Sequence, residues 1–203
     1  MCFHSKQSKD AQTLEKRFKA KAAEDAQLSA DRFNGFTFPQ TPVITNKNPQ
    51  LIQLFNWGLI PVWAKDNSIR TKTLNARIET VCELPSFKNN VNNRCLILAD
   101  GFYEWQWLDP KGKAKQQYLI TLPNDEAFAF AGIYSQWTDR SSGELINTYS
   151  MLTTEANALM AEIHNHKKRM PVILTPENER LWLDGTDVHE FAKPEIELKA
   201  TLI

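Results

Sequence analysis

The sequence predicts an α+β fold, a single domain over residues 1–203 whose short, mainly antiparallel strands curl into a barrel or sandwich with helices on its flanks. Three observations carry that expectation. A chain of 203 residues suits one domain and is long enough to bury a core. Beyond residue 33, apolar or alternating runs of strand length are cut by turn formers, among them Gly35, Pro39, Pro42, Pro49, Gly58 and Pro61. Helical spacing or helix caps appear in three segments that flank or follow those runs.

The first helix belongs to "SKDAQTLEKRFKAKAAEDAQLSADRF", which begins at Ser8 and puts Ala11, Leu14, Phe18 and Ala22 on one face with charges on the other. The β-rich region opens with "NGFTFPQTPVITNKNPQLIQLFNWGLIPVWAKD". Strands are expected over 94–108, 115–122, 127–137 and 145–154, with "DPKGK", "PND" and "DRSSGE" as hairpin loops between them. Thr153 or Thr154 is expected to cap a short helix through Ala156, Leu159, Met160 and Ile163 that ends close to His164. "RMPVILTPENERLWLDG" reads as strand, turn and a helix opened by Pro176 and closed by Gly185. No internal repeat, linker or break in composition divides the chain.

Composition narrows the function classes. Basic and acidic residues balance at 24 each, so no global field draws the protein to nucleic acid or an anionic membrane, and a nucleic-acid site must be a local patch. No run approaches the roughly 18 apolar residues of a membrane span, and "MCFHSKQSKDAQ" lacks the apolar stretch of a signal peptide, which leads us to expect a cytoplasmic protein. Cys2, Cys82 and Cys95 contain no CxxC pair and read as free thiols, neither a disulfide framework nor a zinc site.

Five stretches carry chemistry. In "MCFH", loss of Met1 would leave Cys2 with a thiol and a free α-amine on adjacent carbons, with ordinary pKa values of about 8.5 and about 7.7–8.0. Such a pair can condense with an aldehyde to a Schiff base and then a thiazolidine, or attack an acyl carbon; otherwise Cys2 is an incidental terminal residue. "TLNARIET" puts Asn75, Arg77 and Glu79 on one face if extended, which also describes a solvated strand edge. In "ADGFYEWQW", Glu104 sits amid Phe102, Tyr103, Trp105 and Trp107; it becomes a general acid or base if it points into their pocket and an ordinary surface carboxylate if it faces water. "IHNHKKRMPVIL" joins His164 and His166 to Lys167, Lys168 and Arg169, a combination suited to holding an anion and moving a proton, or to a helix cap beside a solvated cation run. His164 and His166 alone are poor zinc ligands, and no metal is expected. Pro61 and Trp63 in "WGLIPVWAKD" lie on a turn from which ring side chains can wedge between bases.

Taken in order, "MC", "WGLIPVWAKD", "LNARIET", "RCLILADGFYEW" and "IHNHKKRMPVIL" resemble the successive motifs of the SOS response-associated peptidase family, also called abasic-site processing proteins, over residues 1 to about 185. The resemblance implies a compact α+β domain with a barrel-like core, no cofactor, and covalent, lyase-like attachment to abasic sites in single-stranded DNA in the DNA damage response. It implies Cys2 as nucleophile, Asn75 as hydrogen-bond partner near its amine, Glu104 as general acid/base and His164 as promoter of sugar opening. It also implies Arg77 as a phosphate contact and Trp63 with Pro61 as a strand-separating wedge, beside Lys167, Lys168 and Arg169. Removal of Met1 would fall to an autopeptidase activity or to methionine aminopeptidase. The expected partner is DNA, not a membrane, and the protein is expected to be a monomer, nucleoid-associated when bound. Two departures stand out. "MCFH" replaces the family's usual "MCGR", placing His4 where an arginine suited to phosphate is usual, and Asn165 to Lys168 lengthen the link between "IH" and "RMP", so that His166 competes with His164 for the working position. A cysteine peptidase or amidase acting without DNA is the alternative.

Overall fold

The computed structural model describes residues 2–203; Met1, and with it the expected removal of that residue, lies outside the described residues. In chain order the elements are β1 (His4–Gln7), α1 (Ala11–Phe18), β2 (Lys21–Ala22), β3 (Asp31–Asn34), β4 (Gln40–Thr45), β5 (Asn48–Trp57), β6 (Asn75–Arg77), β7 (Arg94–Ala99), β8 (Gly101–Trp107), β9 (Lys115–Thr121), β10 (Phe128–Thr138), β11 (Leu145–Glu155), α2 (Ala158–Ile163), β12 (Arg169–Pro171), β13 (Ile173–Leu174), α3 (Pro176–Asp184) and β14 (Lys199–Leu202).

Five strands close a barrel. Antiparallel pairing runs β5–β4–β7–β10–β11, and β5 then meets β11 in parallel, with Thr148 opposite Asn56 and Tyr149 opposite Trp57. Closure pairs each of these five strands on both sides, with β2 and β12 attached outside the ring. Side chains alternate between two apolar clusters with the two-residue period of strands. Ile44, Leu96, Ala131 and Leu152 pack toward Leu14 of α1 and Trp182 of α3. Val43, Ile97, Phe130 and Met151 point the other way, into a cluster shared with Cys2, Phe102, Ile120 and, from α2, Met160 and Ile163. Gly132 permits the close approach of β10 to β7, because a Cβ there would lie 2.7 Å from Ile97 Cδ1 and 2.9 Å from Cys95 Sγ.

The second sheet, in the order β14-β9-β8-β1-β3, matters most for the site. It inserts the first strand of the chain between β3 and β8 instead of leaving it to fray. Asp100, in the bend between β7 and β8 and almost fully buried, ties that strand down: its carboxylate accepts from Lys6 Nζ at 2.6 Å, from the Ser8 backbone N–H at 3.0 Å and from the Ser8 hydroxyl.

Two helix expectations need correction. The segment from Ser8 does not stay helical to Phe33: α1 stops at Phe18, where Lys19 turns left-handed at φ 52° and its N–H returns to the Glu15 carbonyl. Glu15 then accepts from Ala22 N–H and Lys21 Nζ, which steers the chain into β2, beside β5, and takes Ala22, the last residue of the expected apolar face, out of the helix. Thr153 and Thr154 do not cap α2. They remain in β11, and Asn157 caps the helix through a 2.9 Å bond from Met160 N–H to its side-chain oxygen. The third expectation matches: Pro176 opens α3 behind a Thr175 cap, and Gly185 closes it at φ 94°. No helix among the described residues is long and apolar enough to cross a membrane.

Candidate active site

Cys2 lies immediately ahead of β1, so the burial of that strand buries the cysteine completely. Its position is set by a neighbour more than 70 residues away: Asn75 Nδ2 donates 2.9 Å to the Cys2 carbonyl oxygen. β6 delivers Asn75 by lying parallel to β11, with Asn75 opposite Met151. The thiol donates a weak bond, 3.6 Å, to the His4 carbonyl. Burial, and after it the nearby Glu104 carboxylate, push the thiol well above its ordinary range and keep it protonated.

Glu104 occupies the middle of β8 and is 4% exposed. Its Oε1 is buried with no hydrogen-bond partner. Burial pushes its carboxyl up to about 7, so the group exchanges a proton across the neutral range. Of the two readings of "GFYEW", the inward one is therefore observed.

His164 forms the C-terminal cap of α2 and is buried. Its Nδ1 lies 2.7 Å from the Arg169 carbonyl oxygen and 3.2 Å from the Arg169 N–H. Both contacts face the Arg169 peptide, which fixes the orientation of the ring. Burial is the largest cause of a pKa lowered to about 4, against the opposing bond to the Arg169 backbone, so the imidazole is neutral at neutral pH.

Glu104 and His164 open onto a cleft of about 350 Å³ whose other walls include Phe3, His4, Trp105 and Trp107, with Lys115, His166 and Lys167 contributing the remainder. His4 is half-buried and meets the Trp105 ring edge-on at 4.9 Å. Burial, then Arg32, lower its pKa, so His4 presents a neutral ring to the cleft instead of the cation an arginine would supply.

The other expected DNA contacts fall outside the cleft walls. Trp63 is 49% exposed beside Val62 at 61%, and its indole N–H donates 3.3 Å to the Pro85 carbonyl, which holds the ring at the surface. Pro61 is buried beneath them and shapes the turn without projecting from it. Arg77 follows Asn75 on β6 with its side chain exposed, and Lys168 is exposed next to Lys167. Arg169 takes a different part from the one expected. Only 9% exposed, it grips the exposed Glu79 through two bonds of 2.6 and 2.9 Å and donates 2.7 Å to the Thr153 carbonyl, so its charge is already paired within the chain. What it does for the site is structural: its backbone anchors His164.

Sequence reasoning overlooked Asp100 and Lys115. Asp100 sat inside the quoted "ADGFYEW", and its place directly before Gly101, in the turn between two strands, was a usable signal; Lys115 gave none. Among the described residues no group of three or more His, Cys, Asp or Glu side chains is arranged to hold a metal ion.

Comparison with known proteins identifies the family. A family model described as SOS response associated peptidase (SRAP) matches residues 1–200. The abasic site processing protein YoqW of Bacillus subtilis is 46% identical over 143 residues, covering 70% of this chain and 61% of its own length. The abasic site processing protein HMCES of Gallus gallus is 32% identical over 167 residues, covering 70% of this chain and 48% of its own. The match thus spans 48–61% of the length of those relatives. A crystal structure of a Bacteroides thetaiotaomicron protein superposes with a TM-score of 0.90 at 35% identity, covering 100% of this chain and 92% of the other. A second, from Bordetella bronchiseptica, gives 0.83 at 27%, covering 100% and 99%. With a family model matched along nearly its whole length, this chain belongs to the SOS response associated peptidase family.

Proposed function

We propose that the protein processes abasic sites by linking Cys2, once Met1 has left, to the ring-opened aldehyde of an abasic sugar in single-stranded DNA, forming a thiazolidine. The observation that carries this reading is the pairing of a protonated, buried Cys2 thiol, pinned by Asn75, with a Glu104 whose unpartnered oxygen titrates at about 7.

The chemistry follows from those groups. The Cys2 α-amine adds to the aldehyde carbon, and Glu104 in its acid form protonates the resulting hydroxyl so that it leaves as water and an iminium remains. The thiol sulfur then adds to the iminium carbon and gives its proton to the Glu104 carboxylate, closing the five-membered ring. One water is lost overall. His164, neutral and anchored through Nδ1, supplies a base for opening the sugar ring to its aldehyde. A thiol held protonated suits this amine-first order, because attack on an amide would need the thiolate at the outset. That difference favours DNA processing over peptide or amide cleavage for the mature N-terminus. Arg77, Lys167 and Lys168 are exposed and supply the cations that phosphates need, while Trp63 and Val62 supply the apolar wedge.

Intact-protein mass spectrometry tests the reading. Protein lacking Met1 should gain the mass of an oligonucleotide minus one water, only when the strand carries an abasic site and only with Cys2 present. Cys2→Ala should abolish the adduct. An adduct that persists in that variant, or none from correctly processed protein, would move the assignment to a peptidase or to plain binding. Affinity for the strand should fall steeply as salt rises.

A further inference from the structure

The residues that lengthen the link between His164 and Arg169 build something of their own. The His166 ring lies flat on Trp107, centroids 3.7 Å apart and planes 11° from parallel. Asn165 fastens this arrangement to β8 at two points: its Oδ1 accepts from the Trp107 N–H at 3.1 Å, and its Nδ2 donates 2.9 Å to the Trp107 carbonyl. Trp107 is also backed by Gly112 in the β8–β9 hairpin, where a Cβ would lie 2.6 Å from the indole. With His166 covering one face of the indole, steric exclusion puts Gly112 against the other. The result is a fixed column of Gly112, Trp107 and His166. The imidazole is exposed at its open end, and His166 and Lys167 both line the cleft that holds Glu104 and His164.

A solvent-exposed ring would ordinarily sample several rotamers; one stacked on an indole, next to a residue whose side chain is clamped to that tryptophan's backbone, has already lost part of that entropy. Its outward π-face, adjacent to a lysine, matches the surface that binds single strands without sequence preference, where bases stack on aromatic rings and cations hold the backbone. We infer that the exposed face of His166 is a stacking platform for one unpaired nucleobase next to the reacting nucleotide, an inference that rests on the DNA-processing reading above. His166 is then a binding residue, and the choice between the two histidines for proton transfer falls to His164.

The test is a base-deletion scan that needs no covalent chemistry. Fluorescence anisotropy measures binding of the full chain to a set of single strands in which one nucleotide at a time is replaced by a tetrahydrofuran spacer, which cannot open to an aldehyde. Wild type should lose about 5- to 10-fold in affinity when the base is missing from one position. His166→Ala should bind the intact strand that much more weakly and show no further loss at that position, and His166→Phe should restore both the affinity and the positional dependence. A flat scan with wild type, an unaltered scan with His166→Ala, or a His166→Phe variant as weak as alanine would each overturn the platform. The two readings fail separately. A positional signature that ends at His166, in a protein forming no adduct with reactive abasic DNA, would keep the platform and discard the chemistry. An efficient crosslinker with a flat scan would do the reverse.

Discussion

Glu104 in β8 and Glu179 in α3 are 4% and 8% exposed, and burial raises the carboxyl pKa of both, yet their surroundings differ in kind. Glu179 has both oxygens occupied by Arg17, at 2.7 and 3.1 Å, and Arg17 also donates 3.1 Å to the Ala127 carbonyl at the edge of the barrel. That pair opposes the effect of burial and rivets α1 to α3. Glu104 has no such partner for Oε1 and sits at the wall of a cleft. A buried carboxylate with its oxygens satisfied holds elements together; one left with an orphan oxygen weakens the folded state and keeps a proton available for substrate.

Substitutions can break that contrast from either side. Glu104→Gln should slow adduct formation by about 100-fold or more, the range ascribed to general acid–base catalysis, and remove an inflection near pH 7 from the rate profile. It should also change stability with an unusual sign. A carboxyl titrating at about 7 when folded, against 4.5 ordinarily, means that the folded protein binds more protons between those values. Stability therefore falls as pH rises through that window, by at most about 3 kcal/mol. Urea unfolding at pH 5 and pH 8 should show the fall in wild type and a much flatter response in the glutamine variant, which becomes the more stable of the two at pH 8.

Arg17→Ala tests the other glutamate. It leaves Glu179 buried without its cation and should destabilise the fold by about 2–3 kcal/mol, slightly below the range for fully buried pairs because Arg17 is partly exposed. The urea midpoint measures the loss, while the adduct rate of the folded fraction should stay at the wild-type value. A comparable fall in rate would mean that the α1–α3 side and the cleft are not independent.

Asn75→Ala should act more mildly and mostly on rate. Losing the bond to the Cys2 carbonyl removes about 1 kcal/mol of stability and frees the nucleophile's backbone, for a roughly 10-fold slower adduct in single-turnover assays. Trp63→Ala should have the smallest effect on the fold, within about 0.5 kcal/mol, because the ring is half exposed. It should weaken binding to an abasic strand by about 5-fold in anisotropy titrations.

Much of the site was legible in the sequence because its residues sit in short stretches with a local chemical oddity: a cysteine at position 2, an asparagine in a polar stretch between apolar ones, a glutamate among aromatics, a histidine at a helix end. The barrel was legible for a similar reason, since Pro and Gly punctuate the strands. Illegible were features that depend on partners far along the chain. Arg169 looks like a surface cation until β12 places it against Glu79, a residue 90 positions earlier. Lys19 looks helical until its left-handed turn and the bonds from Glu15 to Lys21 and Ala22 end α1. The stacked pair of Trp107 and His166, 59 positions apart in the sequence, exists because the α2 exit meets the β8 end, and no local pattern announces that.

The central claim is that Cys2 engages its substrate through nitrogen and sulfur together. The most direct measurement treats the purified adduct with borohydride, digests the DNA and protein, and weighs the N-terminal peptide with and without iodoacetamide. A thiazolidine predicts a sugar remnant on Cys2, no hydrogen gained from borohydride and no alkylation of the sulfur. A remnant on a lysine, a reduced linkage, or a Cys2 that still takes up iodoacetamide would contradict it.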